Sequence, residues 1–353
     1  MHTETELKLF VALQDYDSLV KTLNNLPHST YGKSDLLFNH YFDTSTLQLA
    51  QWDMGLRIRC SKNHQEQTIK TAGNVGSGLH SRPEFNVTTA EKTPNLLLFP
   101  QHIWPKNTDL HALNNTLKGI FETNFSRETW LIKSSSCTIE IALDKGEVIA
   151  AQKTKLINEL ELELITGQTE DLIELALQIA NLIPLRLALE SKALAGYLLS
   201  GKVPYQFKTD WPNRLNDAIA SPTQNLKPLL KIALNHWLEL ERYLEHLSNN
   251  IREASEQTPP IFQLEKNAEY AKFFNQLIHC IGILQSLAFN DKKLKARLLL
   301  DSQIAAFIKI LPKKVASFHQ NSASPKELLS IEPFWRDIGY GKFQLVLLAY
   351  LTN

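Results

Sequence analysis

The stretch NELELEL places Glu159, Glu161 and Glu163 at every second position, with Leu160, Leu162 and Leu164 between them. Side chains alternate faces along a strand, so the three carboxylates share one face and the leucines the other. Like charges neighbouring on a strand face repel, and such a row is destabilising unless something compensates it. The design recurs. ETELKL aligns Glu4, Glu6 and Lys8 opposite Leu7 and Leu9, and LRIR aligns Arg57 and Arg59 opposite Leu56 and Ile58. SRPEFN aligns Arg82 with Glu84, TIEIALD aligns Glu140 with Asp144, and Lys70 and Arg127 are further single cations. Two arrangements satisfy this pattern. One is a sheet whose charged face is solvated. The other is a barrel with charged faces inward and apolar faces covered by helices, where cations neutralise the acids and a polyanion neutralises the bases. The pattern alone leaves both open.

Around these runs, residues 1–204 read as an antiparallel α+β domain. Short alternating stretches (HYFDT, MGLRIRC, EQTIKTAG, SRPEFNVTT, RETWLIK, CTIEIALD, GEVIAAQ) are separated by Gly, Asn, Asp and Ser. Helical patterns fall at YDSLVKTLNNL, at EDLIELALQIANLI after Thr169 as N-cap, and at SKALAGYLLSG. At least eight strands are expected, enough to close a barrel. Residues 205–227 have little periodicity and read as a linker. Beyond them Leu230, Ala233, Trp237, Leu240, Leu244, Leu247 and Ile251 follow the 3-4 spacing of an amphipathic helix. Further helices near 262–289, 293–311 and 326–351 make residues 228–353 an all-α bundle.

Charge excludes little but points nowhere basic. Lys plus Arg and Asp plus Glu both number 37 in 353 residues, so the chain is no evident binder of nucleic acid or of a membrane surface. Residues 1–204 hold 19 basic and 23 acidic groups and residues 205–353 hold 18 and 14, a mild contrast between the two regions. Cys60, Cys137 and Cys280 show no CxxC spacing and suggest a reducing, cytoplasmic setting. No signal peptide is visible, and FQLVLLAYL is too short to span a bilayer. GNVGSG lacks the GK[ST] ending of a phosphate loop and reads as a hairpin turn. Trp130 and Phe85 read as packing groups, and the eleven histidines show no metal-protease spacing.

In combination the motifs resemble the CYTH domain, the triphosphate tunnel metalloenzyme family, and most closely its bacterial inorganic triphosphatase branch of CYTH–CHAD type. The pieces in order are ExExK (4–8), YFDT (41–44), LRIR (56–59), TIK (68–70), RPE (82–84), FSRETW (125–130), IEIALDKGE (139–147), ELELEL (159–164) and SKALAGY (191–197). The resemblance implies an eight-stranded antiparallel tunnel barrel with flanking helices, followed by a CHAD-like bundle. It implies Mg²⁺ or Mn²⁺ at Glu4, Glu6, Glu161 and Glu163, with Asp144 and Glu159 beside them, and oxygen-only ligands suit such hard ions. It implies a triphosphate or polyphosphate gripped by Lys8, Arg57, Arg59, Lys70, Arg82, Arg127 and Lys192, through bidentate arginine forks and lysine point charges. Catalysis would rest on Glu4, Glu6, Lys8, Arg57, Arg59, Lys70 and Glu84, the last orienting Arg82 or a water, or merely pairing with a cation. Thiamine triphosphatase and class IV adenylate cyclase share the scaffold, and a non-enzymatic polyphosphate-binding module is the other alternative. The bundle lacks the basic, His-containing run usual in CHAD domains, so it is expected to be degenerate, with a structural or docking role rather than a polyphosphate-binding one. Every motif lies before residue 205, so the chemistry is expected to survive removal of the helices. The oligomeric state is not legible.

Overall fold

In a computed structural model, which describes residues 2–62, 64–205, 207, 226–254, 260–321 and 331–352, the alternating runs close on themselves. The strands are β1 (His2–Val11), β2 (Ser29–Asp43), β3 (Gly55–Cys60), β4 (Gln65–Lys70), β5 (Asn74–Gly76), β6 (Leu79–Thr88), β7 (Lys118–Lys133), β8 (Thr138–Ala150) and β9 (Lys153–Thr166). Eight of them form an antiparallel ring in the order β1-β9-β8-β7-β2-β3-β4-β6, and β6 returns to pair with β1. Closure leaves no free edge in the ring. The short β5 pairs with β6 through Ser77 and Gly78, both at positive φ (52° and 82°). That is the backbone of a tight two-residue hairpin, so GNVGSG is the strand β5 with its turn at Ser77 and Gly78.

The apolar faces point outward. Leu56, Ile58 and Ile69 are buried with Phe42 under Leu49, Met54, Leu96, Phe99, Trp104 and Leu110, from α2 (Gln48–Gln51), α3 (Leu110–Asn115) and the connections beside them. Leu7, Leu9, Ile141, Leu143, Leu160 and Leu162 are wholly buried on the same outer side. Fully burying a leucine contributes about 2 kcal/mol. The opposite faces, which carry the charges, therefore line the interior. The inward barrel is the arrangement realised.

One end of that interior is apolar and filled. Helix α5 (Lys192–Leu199) packs Ala195 and Tyr197 among the inward Leu37, Tyr41, Phe121, Phe125, Val148, Ala150 and Ile157. A Cβ on Gly196 would lie 2.1 Å from the Phe121 ring, so the helix approaches this closely because the residue is glycine. Ser191 caps α5, its hydroxyl accepting from Leu194 N at 3.1 Å.

Two expectations need correction. CTIEIALD and GEVIAAQ form one strand, β8, because Gly146 marks a close backbone approach and no turn. A Cβ there would sit 2.1 Å from the Asn124 carbonyl oxygen. The turn comes later, at Ala151 and Gln152, both at positive φ without a glycine to signal it. The stretch 293–311 breaks in two at Asp301, whose backbone is extended and whose carboxylate accepts from Gln303 N and Ile304 N.

The chain divides into two compact units that interleave in sequence. Met1–Leu13, Val20–Leu172 and Glu190–Tyr205 make up the barrel unit. The helical unit comprises Gln14–Leu19, Ile173–Leu189 and the described part of Gln206–Asn353. Helices α1 (Tyr16–Asn24) and α4 (Thr169–Ala180) run across these boundaries. The later helices are α6 (Leu226–Ala254), α7 (Pro260–Asn290), α8 (Lys292–Leu300), α9 (Ser302–Asn321), α10 (Glu332–Trp335) and α11 (Ile338–Thr352). The expected stripe from Leu230 to Leu247 is buried. Most of the expected linker, 208–225, lies outside the described residues. Within this unit strand β10 (Leu185–Leu187) carries Arg186, whose Nη1 donates to Glu241 at 3.2 Å and whose guanidinium stacks 3.9 Å over Trp335. Glu241 also accepts from Tyr340 and, at 2.6 Å, from Gln344, and Leu187 N donates to Gln344 at 2.9 Å. No described helix is long and apolar enough to cross a membrane.

Candidate active site

Strand register decides which charges meet. Residues directly opposite in antiparallel strands share a face. Lys8 and Glu6 on β1 lie across from Glu161 and Glu163 on β9. Asp144 and Glu140 on β8 lie across from Glu159 and Glu163, and Arg127 on β7 faces Asp144. On the other wall Arg57 and Arg59 of β3 lie across from Tyr41 and Asn39 of β2, and Lys70 of β4 across from Glu84 of β6.

The first wall is densely paired. Lys192, from the first turn of α5, reaches Asp144 at 2.8 Å, Glu161 at 3.0 Å and Glu159. Lys8 contacts Glu161 and, at 3.2 Å, Glu6. Arg127 forks onto Asp144 at 2.7 and 2.6 Å and reaches Glu161 at 2.6 Å. Burial would lift the Glu161 carboxyl, but Lys192, Lys8 and Arg127 together hold it well below the usual range. For Lys8 and Arg127 burial works against the charged form, and the facing carboxylates more than offset it. A second group forms around Lys70, which pairs with Glu84 at 2.9 Å and with Glu4. Asn86 also donates to Glu84 at 2.9 Å. Glu84 therefore makes the ion pair that one of its two readings foresaw.

Two subsets remain unbalanced. Arg57 and Arg59 make no ion pair among the described residues; their partners are the Tyr41 phenol and, at 2.8 Å, Asn39 Oδ1. Burial, then Arg57 and Arg127, pull Arg59 down to about 9. Conversely Glu163 has no ion pair among the described residues. Burial and the carboxylates of Glu4, Glu140 and Glu6 push it up to about 7. The lumen therefore has two guanidinium groups held by neutral partners and one carboxylate crowded by like charges.

The structure gathers Glu4, Glu6, Lys8, Arg57, Arg59, Lys70, Glu84, Arg127, Asp144, Glu159, Glu161, Glu163 and Lys192 on the inner side of one barrel. Arg82 stands apart, its guanidinium turned to Asp53 at 2.6 Å. The residues not foreseen are Asn39, Tyr41 and Asp43, all within NHYFD. Their signal was the same alternation, hidden because two of the three are neutral. Asp43 is fully buried and accepts from Thr44 N, Leu49 N, Ala50 N and the Tyr197 hydroxyl, which ties the 44–50 loop to α5.

Comparison with known proteins fits this architecture. The CYTH domain profile matches residues 2–197, and the chain belongs to the CYTH family. An inorganic triphosphatase of Haemophilus influenzae is 31% identical over 340 residues, covering 91% of this chain and 89% of that protein. The likeness thus extends past the CYTH domain into the helical region. Among solved structures, a Hippeastrum protein described as a putative adenylyl cyclase with dominant triphosphatase activity has a TM-score of 0.41 and 21% identity, over 57% of this chain and 97% of that one. A putative adenylate cyclase of Bacillus halodurans has a TM-score of 0.34 and 23% identity, over 50% of this chain and 88% of that one.

Proposed function

We propose that this chain hydrolyses inorganic triphosphate (tripolyphosphate) to pyrophosphate and phosphate inside the barrel, with Mg²⁺ or Mn²⁺. The observation that carries this reading is the pair of unbalanced subsets: two half-buried arginines that make no ion pair among the described residues, facing a lumen that also holds a carboxylate row without enough cations. A metal-bound polyanion satisfies both at once. The 31% identical inorganic triphosphatase supports the same substrate class.

The donor chemistry fits a hard divalent ion. One oxygen each from Asp144, Glu159 and Glu161 lie within 4.8 Å of one another. Yet the Lys192 ammonium already touches all three. Glu163 is the better-suited holder, since burial and then the carboxylates of Glu4, Glu140 and Glu6 act on it and it makes no ion pair among the described residues; Glu4 and Glu6, each paired with a single lysine, would complete the set. When bound, such an ion would neutralise phosphate oxygens and polarise the bond being broken. The protein's own part is positioning and charge stabilisation, which phosphoryl transfer needs more than covalent help. Arg57, Arg59 and Lys70 hold the chain of phosphates. Arg127, Lys8 and Lys192 present further positive charge, already ordered by their carboxylates, and need no reorganisation as charge develops. Arg82 stays at the rim with Asp53.

The remaining assignments complete the proposal. We take 1–204 as the CYTH domain, 205–227 as linker and 228–353 as a degenerate CHAD-like domain with a structural or docking role. The three free cysteines suit a cytoplasmic location. Phosphate release from tripolyphosphate, thiamine triphosphate, ATP and long-chain polyphosphate tests the reading. Tripolyphosphate should be turned over fastest, EDTA should abolish turnover, and Mg²⁺ or Mn²⁺ should restore it. Full activity in excess chelator would sink the metal assignment.

A further inference from the structure

Every other lumen cation with a central place (Lys8, Lys70, Arg127 and Lys192) is held by carboxylates. Arg57 and Arg59 are held by neutral groups instead, and the sheet register makes this a matched pair. Asn39 lies directly opposite Arg59, and Tyr41 opposite Arg57, two residues on along β2 and two back along the antiparallel β3. We propose that Asn39 and Tyr41 are positioning residues, which aim Arg59 and Arg57 through uncharged hydrogen bonds and so leave both guanidinium charges available to a triphosphate. This rests on the triphosphatase reading above.

Asn39 has no freedom to do otherwise. It is fully buried, and its Nδ2 donates to the Thr123 carbonyl at 2.9 Å. The amide orientation is thereby fixed, and Oδ1 must accept, which it does from Arg59 Nε at 2.8 Å. A guanidinium held by Nε keeps both Nη groups for another partner, the fork that matches phosphate oxygens. Tyr41 is fixed as firmly. Its ring stacks on Phe121 with centroids 4.4 Å apart, and Phe121 in turn meets Tyr197 of α5 edge-on at 5.1 Å. The phenol is left against Arg57, while Arg57 Nε is buried with no hydrogen-bond partner.

The alternative chemistry is one atom away. Aspartate has the size and shape of asparagine and would form a charge-assisted pair with Arg59. It would also relieve the crowding of Arg59 with Arg57 and Arg127. Against that gain, aspartate would forfeit the Nδ2 donation to the Thr123 carbonyl and turn an oxygen toward it. The neutral residue keeps the wall positive at the cost of that pair.

Asn39→Asp is therefore the informative variant. Binding of tripolyphosphate is measured by calorimetry in EDTA, with kcat and KM in Mg²⁺ and the melting temperature alongside. The expected result, read well below the melting temperature of the variant, is binding weakened by roughly 30-fold or more, the worth of one charge-assisted contact, beyond any loss of stability from the broken Thr123 contact. KM should rise in step, and kcat should change less. Tyr41→Phe, which keeps the ring stack, should weaken binding by about 3- to 10-fold, and it decides the matter if Asn39→Asp does not fold. Binding unchanged in the folded variants, or lost only as far as stability is lost, overturns the proposal. A wild-type protein that neither binds nor hydrolyses tripolyphosphate overturns the function and this inference together; wild-type binding with unaffected variants overturns this inference alone.

Discussion

In the helical unit one buried carboxylate, Glu241, meets one guanidinium, one phenol and one amide, and its oxygens are saturated. In the barrel unit Glu161 shares three cations while Arg57, Arg59 and Glu163 make no ion pair among the described residues. Both units bury ions, but only one leaves the sum open. Satisfied burial fixes a packing arrangement, whereas unsatisfied burial costs stability and is explained by something that arrives from solution. The contrast separates a structural charge cluster from a binding one without reference to where either lies.

The largest expected effect concerns how the two units share the chain. Ile173–Leu189 groups with the helical unit although it precedes α5 in sequence. A fragment ending at residue 204 would keep Arg186 and lose Glu241 and Gln344. The expectation that the barrel works alone therefore changes. Residues 1–204 should aggregate rather than give a soluble folded barrel, as size-exclusion chromatography and circular dichroism would show. A soluble fragment within about tenfold of full activity, a difference of roughly 1.4 kcal/mol in barrier, would show the interleaving to be incidental.

Within the barrel, Glu6→Gln should lower metal-dependent turnover by about a thousandfold, roughly 4 kcal/mol, while calorimetry still detects tripolyphosphate. Loss of binding with the rate would move Glu6 from the cation row to a structural role. In the helical unit the same kind of change should act on stability alone. Glu241→Leu takes from Arg186, Tyr340 and Gln344 the carboxylate they share, leaving Arg186 the longer Glu245 contact at 3.5 Å, and should cost about 3 kcal/mol in denaturant unfolding, with KM unmoved. Joining Arg186→Met to it should return most of that loss. A double variant no better than the single one would mean the cluster does more than satisfy itself.

The smallest effect is acid sensitivity confined to the helical unit. Burial pulls His236 down to about 3. The unfolded chain takes up that proton below about pH 6.5 and the folded chain does not until about 3. Stability from this group is therefore complete above 6.5 and falls as the pH drops through that window. Between pH 6.5 and 5 the loss should be roughly 1–2 kcal/mol, and His236→Gln should flatten it. An unchanged slope in that variant would assign the acid sensitivity elsewhere.

The barrel was legible because its alternation is strict. Glu4, Glu6 and Lys8, or Arg57 and Arg59, declare their face at every second residue, and a family resemblance then chose the inward arrangement over the solvated one. Asn39 and Tyr41 escaped because neutral groups give a charge pattern nothing to register. Gly146 misled because a glycine in a strand and a glycine in a turn look alike until the opposing backbone is present. In the helical unit the stripe from Leu230 to Leu247 announced itself, whereas Asp301 did not, since one acid inside an apolar run reads as a solvated residue. The Arg186 cluster could not be read at all, because its members lie 55 and 158 positions apart along the chain, joined only by tertiary packing.

Helix α5 has a consequence for how the barrel would be used. With Ala195, Tyr197 and the Phe121 ring packed together at one end, α5 lays an apolar floor beside the charged lumen. Under the proposed function, a linear polyanion would find its counter-charges only toward the other end, so traffic would favour that side. Product and substrate would then compete for the same approach, which would favour short anions over a chain drawn through.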